Sequence, residues 1–153
     1  NATPVGMPMS EAYEALSRGV VNGIAAPWEV MKPQRMNELC RYHTENNLYT
    51  SVFIIAMNRQ KYESLPDNLK EVIDRNSGDN WIREAGGIWD KAELPGLEQA
   101  KGLGHTIIRL SDDETARWRK TAQPVIDAWV SATPDGQRLY DEAIALIGKY
   151  EKA

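Results

Sequence analysis

The chain has 153 residues, 42% of them hydrophobic and 26% charged, and its formal net charge is -4 at pH 7. This length fits one ordinary domain, and this composition excludes a chain that is disordered throughout. The basic residues are scattered, so the chain lacks the basic stripe that is typical of nucleic-acid binding. The longest purely apolar run, residues 52–57, is far too short to span a membrane.

A first helix is predicted after a short segment that contains two prolines. Ser10 is a suitable N-cap, and Pro27 ends the element. Apolar residues at helical spacing lie between them: Tyr13, Leu16, Val20 and Ile24. A brief second helix is predicted after Pro33.

Three segments are predicted as strands. Residues 41–46 form one candidate, and residues 105–110, between Gly104 and Ser111, form another. Residues 52–57 are six consecutive apolar residues between polar ends. Such a run is typical of a strand that is buried on both faces, so we expect it at the centre of a sheet.

The remaining elements are predicted as helices. Ser64 and Asp67 have the spacing of a capping box, and the apolar stripe that follows continues through Trp81 and Trp89. Pro95-Gly96 is expected to interrupt this stripe.

A second capping box, Ser111 with Glu114, starts the clearest helical stripe, which should be kinked at Pro124. Its predicted buried face consists of Trp118, Val125, Ile126 and Trp129. A last helix starts near Pro134. The whole pattern predicts a helix-rich α/β fold with about three strands and long kinked helices.

Motifs for catalysis, cofactors and metals are weak. His43-x-Glu45 has the form of a zinc deaminase motif, but the cysteine pair that it requires is missing. Cys40 and His43 form C-x-x-H without a second metal-binding pair, so we expect no metal site. No glycine-rich nucleotide loop occurs, so we expect no cofactor. Cys40 is better explained as an apolar helix residue than as a nucleophile.

Several short motifs, in their order and spacing, carry a resemblance to one family. The chain closely resembles the periplasmic solute-binding proteins of tripartite ATP-independent (TRAP) transporters over essentially its whole length. The matching pieces are Met7-Pro8-Met9, Ser10-Glu11-Ala12-Tyr13, Ala15-Leu16, Gly19-Val20-Val21-Asn22-Gly23, Tyr42-His43-Thr44, Met57-Asn58, Tyr62, Ser64-Leu65-Pro66, Gly104 to Leu110, Pro124-Val125 and Trp129. Asn22 stands where the family usually has Asp.

The resemblance implies a protein about twice this long, with two α/β lobes around a cleft. Residues 1–153 would then be a single C-terminal fragment without the N-terminal lobe. It further implies export to the periplasm, capture of a small organic acid and delivery to TRAP permease subunits in the membrane, without any enzymatic reaction. The arginine that clamps the solute carboxylate in the family would lie before position 1.

Five positions correspond to solute contacts in the family. Met9 follows the first turn, Ala26 matches a place commonly held by Asn or Trp, and Trp28 neighbours it. Asn47 and Tyr49 belong to the loop before the apolar run. Ala26 lacks the polar group that Asn would offer, which favours a solute that is less polar beyond its carboxylate. Trp28 either forms an aromatic wall of the site or only packs between the lobes.

Two other functions remain open from the residues alone. The Trp and Tyr stripes suit a stand-alone helical protein-interaction domain, and Cys40 or His43 could serve a small hydrolase. The same stripes carry more large apolar area than one lobe covers. We therefore expect the fragment to self-associate, most simply as a two-fold homodimer.

Overall fold

The computed structural model describes residues 2–47 and 49–150. The elements are α1 (Met9–Ser17), α2 (Trp28–Met31), a 3-10 turn (Met36–Glu38), β1 (Tyr42–Glu45), α3 (Arg59–Glu63), α4 (Asp67–Arg75), α5 (Asp79–Gly102), β2 (Thr106–Arg109), α6 (Asp112–Ala132) and α7 (Gly136–Tyr150). The chain divides into two compact units, Asn1–Ile108 and Arg109–Ala153. The predicted helix-rich α/β character is confirmed.

The first helix is shorter than its apolar pattern predicts. It begins at Met9 with Pro8 as N-cap, two residues before the position that a Ser10 cap would give. It ends at Ser17 because Gly19 takes a φ of 70°, a left-handed conformation that suits glycine. The backbone N–H of Val20 donates to the Ala15 carbonyl at 2.9 Å and closes this end. The apolar residues beyond it therefore lie in a loop.

The core of the first unit is small and lies around α1, α2 and the 3-10 turn. Its buried centre consists of Ala12, Met31 and Met36, and Met36 is 0% exposed. Partly buried side chains pack around this centre: Met7, Met9, Tyr13, Leu16, Ile24, Trp28 and Cys40. The prediction that Cys40 is a helix residue is wrong, because Cys40 follows the 3-10 turn and lies in no helix, but its side chain does pack around this core.

The longest helix, α5, crosses α2 at very close range. A Cβ added to Gly96 would lie 2.0 Å from the Trp28 carbonyl oxygen, so only glycine allows this approach. Asn37, which is buried, donates from Nδ2 to the Gly96 carbonyl at 3.0 Å. The predicted interruption at Pro95-Gly96 is wrong, because α5 continues through Pro95. Proline removes one N–H donor, and the packing against α2 holds the helix together there.

Two of the three predicted strands are present. β1 and β2 form a two-stranded parallel sheet within the described part of the chain. The N–H of Thr106 donates to the Arg41 carbonyl at 2.9 Å where the strands begin.

The third prediction, a central buried strand at residues 52–57, is wrong. These residues form no strand, and the side chain of Ile54 is 84% exposed. A strand buried on both faces needs neighbouring strands and covering layers, which this unit does not supply to it. The ring of Phe53 stacks on Trp89 of α5, with 5.0 Å between ring centroids.

The predicted capping box at Ser64 is also wrong. Ser64 is the C-cap of α3, and its hydroxyl donates to the Lys61 carbonyl at 2.8 Å. The next helix, α4, starts after Pro66 without a side-chain cap. Proline fits a helix start because its missing N–H is not needed there.

The second unit contains α6 and α7. The predicted cap of α6 is confirmed, because Ser111 Oγ accepts a hydrogen bond from the Glu114 N–H at 3.3 Å. The predicted burial of its apolar face is wrong: Val125 is 73% exposed and Trp129 is 48% exposed. Two helices alone cannot enclose each other's apolar faces, so most of this stripe remains accessible to water.

Candidate functional site

The N-terminus of α2 places Trp28 at a junction of three elements. The backbone N–H of Trp28 donates to Glu93 Oε2 of α5 at 2.8 Å. The indole Nε1–H donates to Glu45 Oε1 at the end of β1 at 3.2 Å. The indole ring also lies against the His43 ring, with centroids 4.8 Å apart and planes tilted by 40°. Two hydrogen bonds and one ring contact therefore fix a half-buried aromatic side chain.

The loop after β1 returns to the segment before α2. The hydroxyl of Tyr49 donates to the Ala25 carbonyl at 3.3 Å, next to Ala26. Ala26 is half-buried, whereas Asn47 and Tyr49 are exposed. Asn47 takes a φ of 45°, which asparagine tolerates better than most residues. Position 48, in the middle of this predicted contact loop, lies outside the described residues.

Met9, the fifth predicted position, lies in the same unit. It is the first residue of α1 and packs against the core of Ala12, Met31 and Met36. Trp28 packs against that same core. The structure therefore brings Tyr49 to the Ala25 carbonyl and Trp28 beside β1, and it anchors Met9 and Trp28 on common neighbours.

Sequence reasoning missed the partners of Trp28. The two histidines are 62 positions apart in the sequence, but His43 Nε2 lies 3.1 Å from His105 Nδ1. Burial lowers the pKa of His43, and the positive charge that His105 can carry lowers it further. A usable signal was present, because both histidines fall in predicted strands, and pairing of those strands would bring them together.

The remaining candidates offer little chemistry. Burial raises the pKa of the Cys40 thiol, which opposes formation of a nucleophilic thiolate. Among the described residues, no cluster of three or more potential metal ligands occurs. A separate cavity of about 400 Å³ is lined by Asn37, Glu38, Arg41, Tyr42, Leu103, Gly104, His105 and Thr106. Within residues 2–47 and 49–150, no helix is both long and apolar enough to cross a membrane.

Solved structures with the same fold define the class of protein. One is a TRAP solute-binding protein from Rhodoferax ferrireducens in complex with copurified benzoate: TM-score 0.89, 35% identity, 97% of this chain and 49% of that chain covered. Another is a marine metagenome TRAP solute-binding protein specific for aromatic acid ligands, in complex with 3-hydroxybenzoate: TM-score 0.88, 38% identity, 97% and 49% coverage. This chain therefore has the fold of half of a TRAP solute-binding protein.

The family follows from the sequence match. Residues 1–132 match DctP, the bacterial extracellular solute-binding protein family 7, and the chain belongs to this family. A curated relative, the C4-dicarboxylate-binding periplasmic protein DctP of Rhodobacter capsulatus, is 30% identical over 147 residues. That alignment covers 95% of this chain and 42% of the relative, so the chain spans less than half of the relative's length. Membership favours solute binding over the stand-alone interaction domain.

Proposed function

We propose that this chain is the C-terminal fragment of an exported solute-binding protein that captures a small organic acid and delivers it to TRAP permease subunits. The observation that carries this proposal is the match in fold to solute-binding proteins over 97% of the chain. Relatives of this family act in the periplasm, and we place this protein there too. Its role is binding and transport, without a chemical reaction on the solute.

We further propose that the solute carries an aromatic ring next to its carboxylate. Two relatives at 35% and 38% identity hold benzoate and 3-hydroxybenzoate. The five predicted contacts here, Met9, Ala26, Trp28, Asn47 and Tyr49, include two aromatic residues and two apolar ones. Trp28 offers a fixed ring face, and Ala26 offers space without a polar group that would need a partner. The carboxylate itself would be held by an arginine in the other half of the protein.

The solute class is tested by thermal-shift measurements on the full-length protein. Benzoate and 3-hydroxybenzoate are compared with C4-dicarboxylates, because a ligand that binds only the folded state raises the melting temperature. We expect aromatic acids to raise it more than dicarboxylates do. A larger shift with dicarboxylates would contradict the aromatic class and leave the transport role intact.

The contribution of Trp28 is tested by Trp28→Leu in the same protein. We expect the affinity for benzoate to fall about tenfold or more, equivalent to about 1.4 kcal/mol, because the stacking surface is lost. Trp89→Leu is the matched control, since Trp89 lies in the same unit but stacks on Phe53 instead. Equal losses in both variants would mean that Trp28 acts only through packing.

We also propose that the isolated chain self-associates, most simply as a homodimer. It exposes 12753 Å² of surface. Two separate folded globules with the lengths of its two units would expose roughly 9,000 Å² in total. Many large apolar side chains are exposed, those of residues 52–55 among them, and such surface favours association in water.

Sedimentation velocity at micromolar concentration tests this association. We expect a species about twice the mass of one chain, and we expect Ile54→Glu to shift it towards the monomer. Ser51→Glu is the control, because it adds the same charge at an exposed polar position of the same segment. A wild-type chain that sediments as a monomer, and that melts cooperatively on heating, would contradict the proposal.

A further inference from the structure

The two histidines of the chain join the two strands of its sheet. His43 lies within β1 and is 9% exposed, and His105 immediately precedes β2. Their ring planes are 15° apart with centroids 5.3 Å apart, and His43 Nε2 lies 3.1 Å from His105 Nδ1. The contact is therefore a hydrogen bond between two rings rather than a chance approach of side chains.

The hydrogen bond between the two rings needs one donor nitrogen and one acceptor nitrogen. Only a neutral imidazole has an acceptor nitrogen, so at least one of the two rings must be neutral. Burial and the positive charge that His105 can carry both lower the pKa of His43. A pair in which both rings are protonated has N–H groups on both facing nitrogens and cannot form this bond.

The histidine pair also supports Trp28. His43 and Glu45 are two residues apart on β1, so their side chains lie on the same face of the strand. The His43 ring contacts the Trp28 ring, and Glu45 Oε1 accepts from the Trp28 indole N–H. A movement of the His43 ring would therefore change the surroundings of the Trp28 indole.

We propose that His43 and His105 form a proton-sensitive latch, which as neutral rings joins β1 to β2 and holds the Trp28 indole, and which opens when the pair takes up protons. One proton still leaves a neutral ring that can accept from the other, so the hydrogen bond is lost when both rings are protonated and both facing nitrogens carry N–H groups. With both rings charged, two positive charges lie side by side at a buried position, which is unfavourable.

Water can reach this latch. His105 is one of the residues that line the 400 Å³ cavity, so protons can be exchanged there without unfolding of the sheet. Charged residues on the surrounding elements are Glu38 and Arg41 at the cavity, Glu45 on β1, Glu93 on α5, Glu29 on α2 and Arg109 on β2. Glu38 is bonded to Arg35, and Glu45 and Glu93 each bond Trp28. Burial and the charge of His105, rather than these groups, lower the pKa of His43.

The direction of the pH effect follows from that lowered pKa. An unfolded histidine has a pKa of about 6.5, so below that value the unfolded chain binds more protons than the folded chain. The stabilisation from the latch is therefore complete above about pH 6.5 and is lost as the pH falls through the folded pKa of His43.

The latch is tested by NMR titration of the ring signals on the 153-residue chain without solute, so the result does not depend on the proposed transport function. With two histidines in the chain, each signal is assigned by one substitution. We expect the His43 signal to titrate below the ordinary histidine range and to move upward in His105→Gln. We expect the Trp28 indole N–H signal to shift with the same midpoint as His43.

Trp118 is the matched control for the indole signal. Its Nε1–H also donates to a carboxylate, Glu114 Oε1 at 2.8 Å, but the described contacts give it no histidine neighbour. Its signal should not follow the histidine midpoint. His105→Gln removes the pair without altering buried His43, so the test stands even if His43→Gln fails to fold. A His43 titration unchanged by His105→Gln, or a Trp28 signal indifferent to pH between 5 and 8, overturns the latch.

Discussion

The α2–α5 contact and residues 52–57 are both rich in apolar side chains, yet they differ completely in burial. At the first, Met31 is 4% exposed and Ala100 is 0% exposed, because Gly96 lets the two helices approach to backbone contact. At the second, the side chains project into water, apart from the contact of Phe53 with Trp89. The difference shows that apolar side chains favour burial, but that they become buried only where a complementary surface lies nearby.

The largest expected effect is the loss of a buried core residue. Met36→Ala should lower the free energy of unfolding by about 2–5 kcal/mol, because it leaves a cavity at a fully buried position. Ile54→Ala should change it by no more than about 0.5 kcal/mol in dilute solution, because that side chain is exposed.

Urea denaturation followed by circular dichroism gives both values, and a series of protein concentrations sharpens the comparison. A loss in Ile54→Ala that grows with concentration would show that residues 52–57 are buried between copies. Equal losses for the two variants in dilute solution would show that the comparison is wrong.

A smaller effect is expected at the helix crossing. Gly96→Ala should cost about 1–3 kcal/mol, because the new methyl group would collide with the Trp28 carbonyl and push α5 from α2. Gly86 lies in the same helix, and a Cβ added there would have nothing within 4 Å. Gly86→Ala should therefore stabilise the chain by about 0.5–1 kcal/mol. Thermal denaturation of the pair measures both. A stabilising Gly96→Ala would mean that the two helices do not touch there.

A small effect is also expected on α6. Trp129→Ala should cost less than about 1 kcal/mol, compared with about 3–5 kcal/mol for a buried tryptophan, because its ring is half exposed. Urea denaturation of the wild-type chain and of this variant measures the difference. A loss of about 3–5 kcal/mol would mean that Trp129 is buried, as Met31 and Ala100 are, rather than exposed, as residues 52–57 are.

Local signals predicted much of the fold correctly. Ser111 specifies the start of α6 by accepting a hydrogen bond from the nearby Glu114 N–H, and the strand candidates 41–46 and 105–110 each contain a strand. The signals failed where a partner distant in sequence decides. Pro95 was expected to interrupt the helix, but packing against α2 holds α5 together there. Residues 52–57 were expected to form a central strand, but the sheet in the described residues consists of β1 and β2. For the candidate site, all five positions came from the family resemblance, and their role in solute binding stays a prediction.

The sequence by itself determined the helix-rich character, the family and the two strands, because these depend on periodicity, caps and motif order along the chain. Only the tertiary structure decided that His43 meets His105 across 62 positions, that Glu45 and Glu93 both bind Trp28, and that the most apolar segment lies exposed. Each of these outcomes depends on which surfaces lie side by side after folding. A single strand or helix pattern carries no record of its distant neighbour, so burial and pairing had to come from the packed chain.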